Sequence, residues 1–273
     1  MDLTGKTVIP ALIDGHNHIG LVNEKDGTNK KANYTRDNLI DQLQRYAYYG
    51  TAATMSMGLE ADQELAYKLR DEVIPNAAKF LTVGKGIAAT SMAGPPGEAR
   101  FGIPYGAATP EEGRQHVREL HARGVHFVKF WVDDREGSVP KLKPEVYRAI
   151  IDEAHKNGME TLAHLSRTSA LADAKDLLKS GVDGFVHTVR DRDVDDEYIA
   201  LVKAHPKVWT GPNIPGPGET GEEINTLGRE RCRRRPSQTC VASSKPEDVS
   251  RKSAESALRA SLPQREEGST TPG

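Results

Sequence analysis

The sequence predicts an α/β fold in which parallel strands alternate with helices, and three observations support this prediction. Short apolar runs typical of buried strands recur between residues 7 and 211 and alternate with amphipathic stretches of helical periodicity. Seven such strand–helix steps exceed what a small open sheet needs and approach an eight-fold barrel. No glycine-rich phosphate loop follows the first strand, which weakens the alternative of an open doubly wound sheet. We therefore expect a (β/α)8-type TIM barrel.

The predicted elements follow one another in regular order along the chain. Strands are expected at residues 7–13, 51–56, 79–84, 126–132, 159–164, 184–188 and 207–211. Helices are expected near residues 37–49, 60–73, 110–123, 144–157, 169–180 and 194–204. Thr109, Pro110 and Glu112 form an N-terminal capping signal for the third helix. Gly124 and Gly158 fall where helices are expected to end.

Composition narrows the classes of function. The 273 residues carry a formal net charge of -2, which gives no electrostatic case for binding nucleic acid or an anionic membrane. No apolar run approaches the ~20 residues of a spanning helix, and the first residues lack the order of a secretory signal. The two cysteines, Cys232 and Cys240, cannot form a disulfide framework. A cytoplasmic protein that binds a small molecule is the default expectation.

Four histidines and a lysine stand at or near predicted strand ends. His16 and His18 follow the first strand as an i, i+2 pair, so their side chains leave the same face of extended backbone. His164 ends the fifth strand, His187 ends the sixth, and Lys129 lies inside the fourth. Taken singly, each histidine is more often structural, and the lysine could extend to a barrel end. Because barrel strands deliver their carboxyl ends to one mouth, the joint pattern predicts a site for zinc or a related divalent ion.

Several segments resemble the amidohydrolase superfamily, particularly its imidazolonepropionase- and prolidase-like members. The similarity covers roughly residues 3–225 and rests on "GKTVIPALIDGHNH", "FVKFWVDD", "TLAHLSRTSALADAKDLLKSGVDGFVHT" and "VWTGPNIP". This resemblance implies a metal-dependent hydrolase on a distorted (β/α)8 barrel, in which an activated water attacks the C–N bond of an amide, a cyclic amide or a dipeptide.

The resemblance also implies a role for each of the five side chains. His16 and His18 would bind the more buried metal, and His164 and His187 would bind the second. Lys129 would react with carbon dioxide and bridge the two metals as a carbamate. In mononuclear relatives the lysine has no such part, so one or two ions are compatible. Zinc is the expected metal, with manganese, iron and cobalt as alternatives.

The carboxyl-terminal part departs from the family pattern. The family needs a metal-binding aspartate after an eighth strand, and no apolar run ending in aspartate follows residue 227. Asp248, the only aspartate beyond that point, stands in what looks like a helix start. We therefore divide the chain into an incomplete amidohydrolase-like barrel, residues 1–227, and an atypical flexible or weakly helical tail, residues 228–273. An unclosed barrel would leave unpaired edge strands that favour homo-oligomers.

A long loop after the third strand, residues 84–108, is rich in glycine and proline. It is expected to cover the substrate, with Tyr105 as a contact, although a simple surface excursion is the alternative. Arg190 could meet an anionic substrate group or form a surface ion pair. Besides the hydrolase, two functions stay open: a metal-binding form that lacks efficient catalysis, and a non-enzymatic scaffold of the same fold.

Overall fold

The structure, a computed structural model, describes residues 2–211 and has the alternating order of strands and helices. The strands are β1 Leu12–Asn17, β2 Thr51–Gly58, β3 Lys79–Lys85, β4 Ile87–Ala88, β5 Tyr105–Gly106, β6 Phe127–Val132, β7 Glu160–Leu165, β8 Gly184–Phe185 and β9 Trp209–Thr210. The helices are α1 Arg36–Tyr48, α2 Gln63–Asp71, α3 Pro110–Ala122, α4 Pro144–Lys156, α5 Ala170–Lys179 and α6 Asp196–Ala204. Two single-turn 3-10 helices, Lys31–Asn33 and Glu98–Arg100, lie in the connections.

All strand pairs between named strands are parallel, and they form two sheets. The first has the order β1-β2-β3 and the second has the order β5-β4-β6-β7-β8-β9. The chain passes directly from β3 to β4 through Gly86, whose backbone N–H donates to the carbonyl of Gly58 in β2. The continuous segment from β3 to β4 therefore contributes one strand to each sheet. The carboxyl ends of the strands consequently lie at one end of the array, where a barrel enzyme has its active site.

The helices begin where the sequence places capping residues. At α3 the Thr109 side chain accepts from the Glu112 N–H, and the Glu112 carboxylate accepts from the Thr109 N–H, which completes a capping box. In α4, Val146, Ile150 and Ala154 repeat at helical spacing and are fully buried. This stripe packs into the larger of two hydrophobic clusters. The apolar face of each helix therefore fixes it against the strands.

Two differences from the sequence prediction concern the bounds of strands. The first strand was expected at residues 7–13, but the structure places β1 at Leu12–Asn17. Only Leu12 and the residues after it pair with β2, and Val8 and Ile9 are exposed. Pro10 interrupts the apolar run and has no N–H to donate to a ladder, which accounts for the shift. The sixth strand is also shorter than expected, because β8 ends at Phe185, two residues before His187.

The sequence analysis expected an incomplete barrel, and the described residues do not show a closed one. Within residues 2–211, no strand pairs with the outer edge of β1 or of β9. The described fold is thus a parallel α/β array, whereas a closed eight-stranded barrel stays an expectation. The predicted boundary at residue 227 and the tail at 228–273 lie outside the described residues. No helix in the described range is long and apolar enough to cross a membrane.

Candidate functional site

The structure places the first histidine pair at a bulge in the edge strand. In the β1–β2 register, Asp14 faces Thr54 and Asn17 faces Ser56, so β1 holds one extra residue at this point. The Asp14 carboxylate stabilises the bulge by accepting from the backbone N–H of His16, at 3.0 Å, and from the Asn17 amide, at 3.1 Å. This local irregularity orients His16 and the residues after it. Asp14 was not singled out in the sequence.

The four histidines lie against one another at the carboxyl ends of their strands. The rings of His16 and His18 have centroids 5.4 Å apart, and those of His16 and His187 are 5.1 Å apart. His187 also meets His164 edge to face at 4.4 Å. Residues that are far apart in the sequence therefore form one cluster of four imidazoles. We call these residues, His16, His18, His164 and His187, the histidine cluster.

Lys129 lies beside the histidine cluster and is fully buried. Its side chain is 0% exposed, and its Nζ has no hydrogen-bond partner among residues 2–211. The nearest aromatic neighbour on its own strand is Trp131, whose ring centroid is 5.4 Å from Nζ. Burial lowers the pKa of Lys129 well below its usual value, because a charged amine loses its hydration there. Burial therefore favours the neutral form of this amine.

His164 has an acidic neighbour that the sequence analysis did not identify. Its Nε2 lies 3.4 Å from Oδ2 of Asp133, the residue directly after β6. Burial lowers the pKa of His164 to about 4, although the contact with Asp133 partly opposes this shift. Burial alone would raise the pKa of Asp133, but hydrogen bonds from His164 and the Arg135 N–H outweigh it, so this pKa is lowered. Asp133 is thus an ionised acceptor that orients the His164 ring.

Burial also disfavours the charged form of two other imidazoles of the histidine cluster, those of His18 and His187. Burial lowers the pKa of His18 well below its usual value, and the charges of His16 and Lys129 add to the effect. The Nδ1 atom of His18 is buried, and no atom in the described part of the chain forms a hydrogen bond with it. Burial and the charge of His164 also lower the pKa of His187. Neutral imidazoles are the form of histidine that binds metal ions.

The donor chemistry of the site fits a divalent ion, but the side chains do not form a closed ligand set. Among residues 2–211, no group of three or more histidine, cysteine and acidic side chains is arranged so that it could hold a metal. Two imidazoles bound to one tetrahedral ion at ~2.0–2.1 Å would have centroids about 5 Å apart. The distances from His16 to His18 and to His187 are of this size. The unpartnered nitrogens of His18 and Lys129 are two further available donors.

The two residues expected to contact substrate lie in different places. The charge of Arg190 lowers the pKa of both His164 and His187, so Arg190 lies close to the histidine cluster. The Tyr105 ring stacks on His116 of α3 at 4.2 Å, and its hydroxyl accepts from the Gln63 amide. Tyr105 lines a cleft of about 310 Å³ whose walls include none of the four clustered histidines. Both substrate contacts stay predictions.

Two more ionisable residues near the strand ends were missed in the sequence. Glu60 follows β2 by two residues, is fully buried, and accepts from the Thr82 hydroxyl at 2.5 Å. Its Oε2 atom has no hydrogen-bond partner within the described range, and burial raises the pKa of the carboxyl to about 7. Arg100 lies in the loop before β5, and its charge contributes to the low pKa of His18. No local sequence pattern identifies either residue, because each acquires its environment through tertiary packing.

Comparison with known proteins supports the fold. No family model matches the chain. An uncharacterized protein of Mycobacterium tuberculosis is 27% identical over 224 residues, which is 78% of this chain and 53% of the relative. The described array is similar to the solved structure of an amidohydrolase, with a TM-score of 0.61 and 20% identity over 84% of this chain and 58% of that chain. The chain has the amidohydrolase fold.

Other solved structures with this fold are also hydrolases by name. A prolidase complexed with N-methylphosphonate-L-proline has a TM-score of 0.58 and 20% identity, and covers 77% of this chain and 54% of that chain. The A. niger ochratoxinase has a TM-score of 0.54 and 19% identity, and covers 74% of this chain and 52% of that chain. The amidohydrolase neighbours imply a TIM-barrel-like α/β fold, of which residues 2–211 form the parallel array. The chain spans about half the length of the curated relatives that it matches.

Proposed function

We propose that this chain carries the metal site of a hydrolase that cleaves a C–N bond in an amide, a cyclic amide or a dipeptide. The observation that supports this proposal most directly is the packing of four imidazoles beside one buried, unpartnered amine at the carboxyl ends of parallel strands. Active sites of barrel enzymes lie at this end. The names of the structural neighbours, which include an amidohydrolase and prolidases, agree with it.

Each side chain of the site has a role in the proposal. His16 and His18, from the end of β1, would hold one divalent ion. His164 and His187, which touch each other, would hold a second. Zinc is our first candidate, with manganese, iron and cobalt as alternatives. The ion would supply Lewis-acid chemistry that polarises the scissile carbonyl and makes a water acidic at neutral pH.

Lys129 would join the two metal positions after reaction with carbon dioxide. The neutral amine forms an N–C bond to the carbon of carbon dioxide and loses one proton, which leaves an anionic carbamate. Such a reaction requires an unprotonated amine, and the complete burial of Lys129, which lowers its pKa, favours that form. A carbamate would supply two anionic oxygens in a site whose other expected ligands are four neutral imidazoles.

Residues around the ligands would orient and protect them. Asp133 holds His164 by its Nε2 atom and so fixes which ring nitrogen faces the ion. Arg190, close to His164 and His187, would attract an anionic part of the substrate. The segment between β4 and β5 follows the carboxyl end of β4 and would limit the access of water.

A second candidate is a protein of the same fold that binds metal but turns over poorly. The sequence motivates it, because no apolar run ending in aspartate is recognisable between residues 228 and 273. Loss of a general acid–base group costs about 10²–10⁴ in rate. A non-enzymatic scaffold, the third candidate, would need no metal at all.

Hydrolysis assays with defined metal content test these candidates. The purified chain is incubated with zinc or manganese and bicarbonate, and presented with amides, cyclic amides, dipeptides, lactones and esters. We expect turnover that disappears on chelation and in His187→Ala, and that persists in His121→Ala, which removes an exposed imidazole on α3. Stoichiometric metal without turnover would favour the second candidate. If the chain neither binds metal nor shows turnover, only the scaffold remains as a candidate.

A further inference from the structure

The cleft that Tyr105 lines is a cavity separate from the histidine cluster. It lies between α2 and α3, has a volume of about 310 Å³ and contains neither a clustered histidine nor Lys129 in its walls. Cavities of about 300 Å³ and more are large enough for a small molecule. We call it the α2–α3 cleft, and the residues that line it are Gln63, Tyr67, Tyr105, Glu119, Ala122 and Arg123.

A directional chain of hydrogen bonds fixes the neutral polar groups of the α2–α3 cleft. The Tyr67 hydroxyl donates to Oε1 of Gln63 at 2.9 Å, and Nε2 of Gln63 donates to the Tyr105 hydroxyl oxygen at 3.1 Å. Gly84 of β3 permits this arrangement, because a Cβ at that position would lie 2.5 Å from the Tyr67 hydroxyl. Since the Tyr105 oxygen accepts in this chain, its own hydrogen is available for an acceptor in the cleft.

The two tyrosine rings of the cleft are also held in place. The Tyr105 ring stacks on His116 with centroids 4.2 Å apart, and Nε2 of that imidazole lies 3.1 Å from the Gly106 carbonyl. The guanidinium of Arg123 lies 5.6 Å from the centroid of the Tyr67 ring. A ligand that enters the cleft therefore meets two preorganised aromatic surfaces, which lowers the entropy cost of binding.

The cleft has one acid and one base that do not pair with each other. Glu119 precedes Arg123 by four residues, a spacing that favours an ion pair along a helix. The structure instead places Nη2 of Arg123 2.5 Å from Oε1 of Glu64 in α2, and Oε1 of Glu119 accepts from the Gln115 amide at 3.1 Å. The wall of the cleft formed by α3 and the residue after it therefore carries separate negative and positive charges.

These two charges favour a ligand that carries both signs. Burial raises the pKa of the Tyr105 hydroxyl, the charge of Glu119 raises it further and the charge of Arg123 opposes the rise, so both charges act on one point of the cleft. A carboxylate matches the guanidinium, because its two oxygens accept two parallel hydrogen bonds. The pair of Arg123 with Glu64 is exposed and so contributes little, and a guanidinium has five N–H donors to share between two carboxylates.

We propose that the α2–α3 cleft is a second ligand site, which binds a small zwitterion: a free α-amino acid with an apolar side chain. The ammonium group would bind Glu119, the carboxylate would bind Arg123 and the Tyr105 hydroxyl, and the apolar side chain would pack on the tyrosine rings. The walls of the cleft are made of residues that have no part in the proposed metal site, so this inference does not depend on hydrolysis.

Three ligands that differ in one charged group test the inference. L-leucine, N-acetyl-L-leucine and L-leucinamide are titrated calorimetrically into the full chain in the presence of a chelator. We expect L-leucine to bind about 10-fold or more tightly than either analogue, because each analogue lacks one charged hydrogen-bonding group. Glu119→Gln should lose about 10-fold in affinity for L-leucine but none for N-acetyl-L-leucine. Arg123→Gln should lose as much for L-leucine but none for L-leucinamide.

The matched controls are Glu111→Gln and Arg114→Gln, which remove the same charges from α3 outside the cleft and should bind L-leucine as the wild type does. Tyr105→Phe keeps the ring and should weaken L-leucine binding through loss of the hydroxyl alone. A wild type that does not bind L-leucine, or binds all three ligands equally, would overturn the inference, as would wild-type binding in both Glu119→Gln and Arg123→Gln. Loss of L-leucine binding in His187→Ala would also overturn it, because the ligand would then lie at the histidine cluster.

Discussion

The imidazole rings of His164 and His187 meet edge to face with their centroids 4.4 Å apart. The two residues belong to neighbouring strand ends, since β7 pairs with β8 in parallel. Parallel pairing brings the carboxyl ends of both strands to the same edge, so side chains 23 positions apart become direct neighbours. The same geometry adds His16, Lys129 and the surrounding charged groups to a single site.

Replacement of the buried amine should stabilise the metal-free fold. Lys129→Met keeps most of the apolar stem and removes an Nζ atom that has no partner. We expect the free energy of unfolding to rise by about 1–3 kcal/mol in carbon dioxide-free buffer with chelator. Because the folded-state pKa of Lys129 is lowered, the wild type loses stability as pH falls below the unfolded pKa of 10.5, so the advantage of the variant should grow in that direction.

Denaturant unfolding at several pH values measures this difference for Lys129→Met. The control is Lys68→Met, which replaces an exposed amine on α2. Addition of bicarbonate and zinc should reverse the ranking, because only the wild type can form the carbamate. A variant that is less stable than the wild type without metal would contradict the interpretation of Lys129 as an uncompensated buried amine.

Removal of the acidic partner of His164 should weaken metal binding without abolishing it. Asp133→Asn keeps the shape of the side chain but loses the charge near Nε2 of His164. We expect the dissociation constant for zinc to rise about 10- to 100-fold, as is common when an outer partner of a histidine ligand is lost. Competition with a chromogenic chelator measures it. An unchanged zinc affinity would show that Asp133 does not act through His164.

The buried carboxyl of Glu60 should give the fold a measurable pH dependence. Burial raises its folded-state pKa to about 7 from an unfolded value of 4.5. Below pH 4.5 both states are protonated and no penalty exists; the penalty grows between pH 4.5 and 7, and reaches about 3 kcal/mol above that range. Glu60→Gln should therefore become more stable than the wild type as pH rises from 4.5 to 7.

The free energies of unfolding of the wild type and of Glu60→Gln, measured across this pH range, test the prediction. Glu160→Gln, at the exposed first residue of β7, is the matched control and should show no such trend. A difference between wild type and Glu60→Gln that does not change with pH would contradict the raised pKa of Glu60.

The outer edge of β1 should contribute to self-association. Leu12 and Ile13 are 61% and 72% exposed on a strand that, within residues 2–211, pairs only with β2. Ile13→Lys places a charge on this edge and should shift the protein toward monomer in sedimentation equilibrium, with a small effect on stability. Val73→Lys, at an apolar residue that is 91% exposed after α2, serves as control. A wild type that stays monomeric at all concentrations would contradict the prediction.

Sequence periodicity was sufficient to predict the helices and most strands. The fourth helix was expected at 144–157 and is found at Pro144–Lys156, because its apolar stripe and proline start are local signals. The predicted position of the first strand was wrong by several residues. The apolar run contains Pro10, and only Leu12 and the residues after it pair with β2. Local patterns locate elements well, but pairing decides where an edge strand begins.

The site could be predicted only in part for the same reason. His16, His18, His164 and His187 follow a rule that the sequence displays, because each stands at or near a strand end. Asp133 and Glu60 do not, and they owe their properties to contacts made after folding: an imidazole for the first and burial for the second. Such residues can be identified only when the tertiary packing of the elements is known.

The metal content of the purified protein tests the central claim most directly. After incubation with zinc and bicarbonate and dialysis to remove unbound ions, elemental analysis should find at least one zinc per chain in the wild type and in His121→Ala. The zinc content should fall well below one in His16→Ala, whose folded state is checked by circular dichroism. A wild type without stoichiometric zinc, or a folded His16→Ala that retains all of it, would contradict the assignment of the histidine cluster as a metal site.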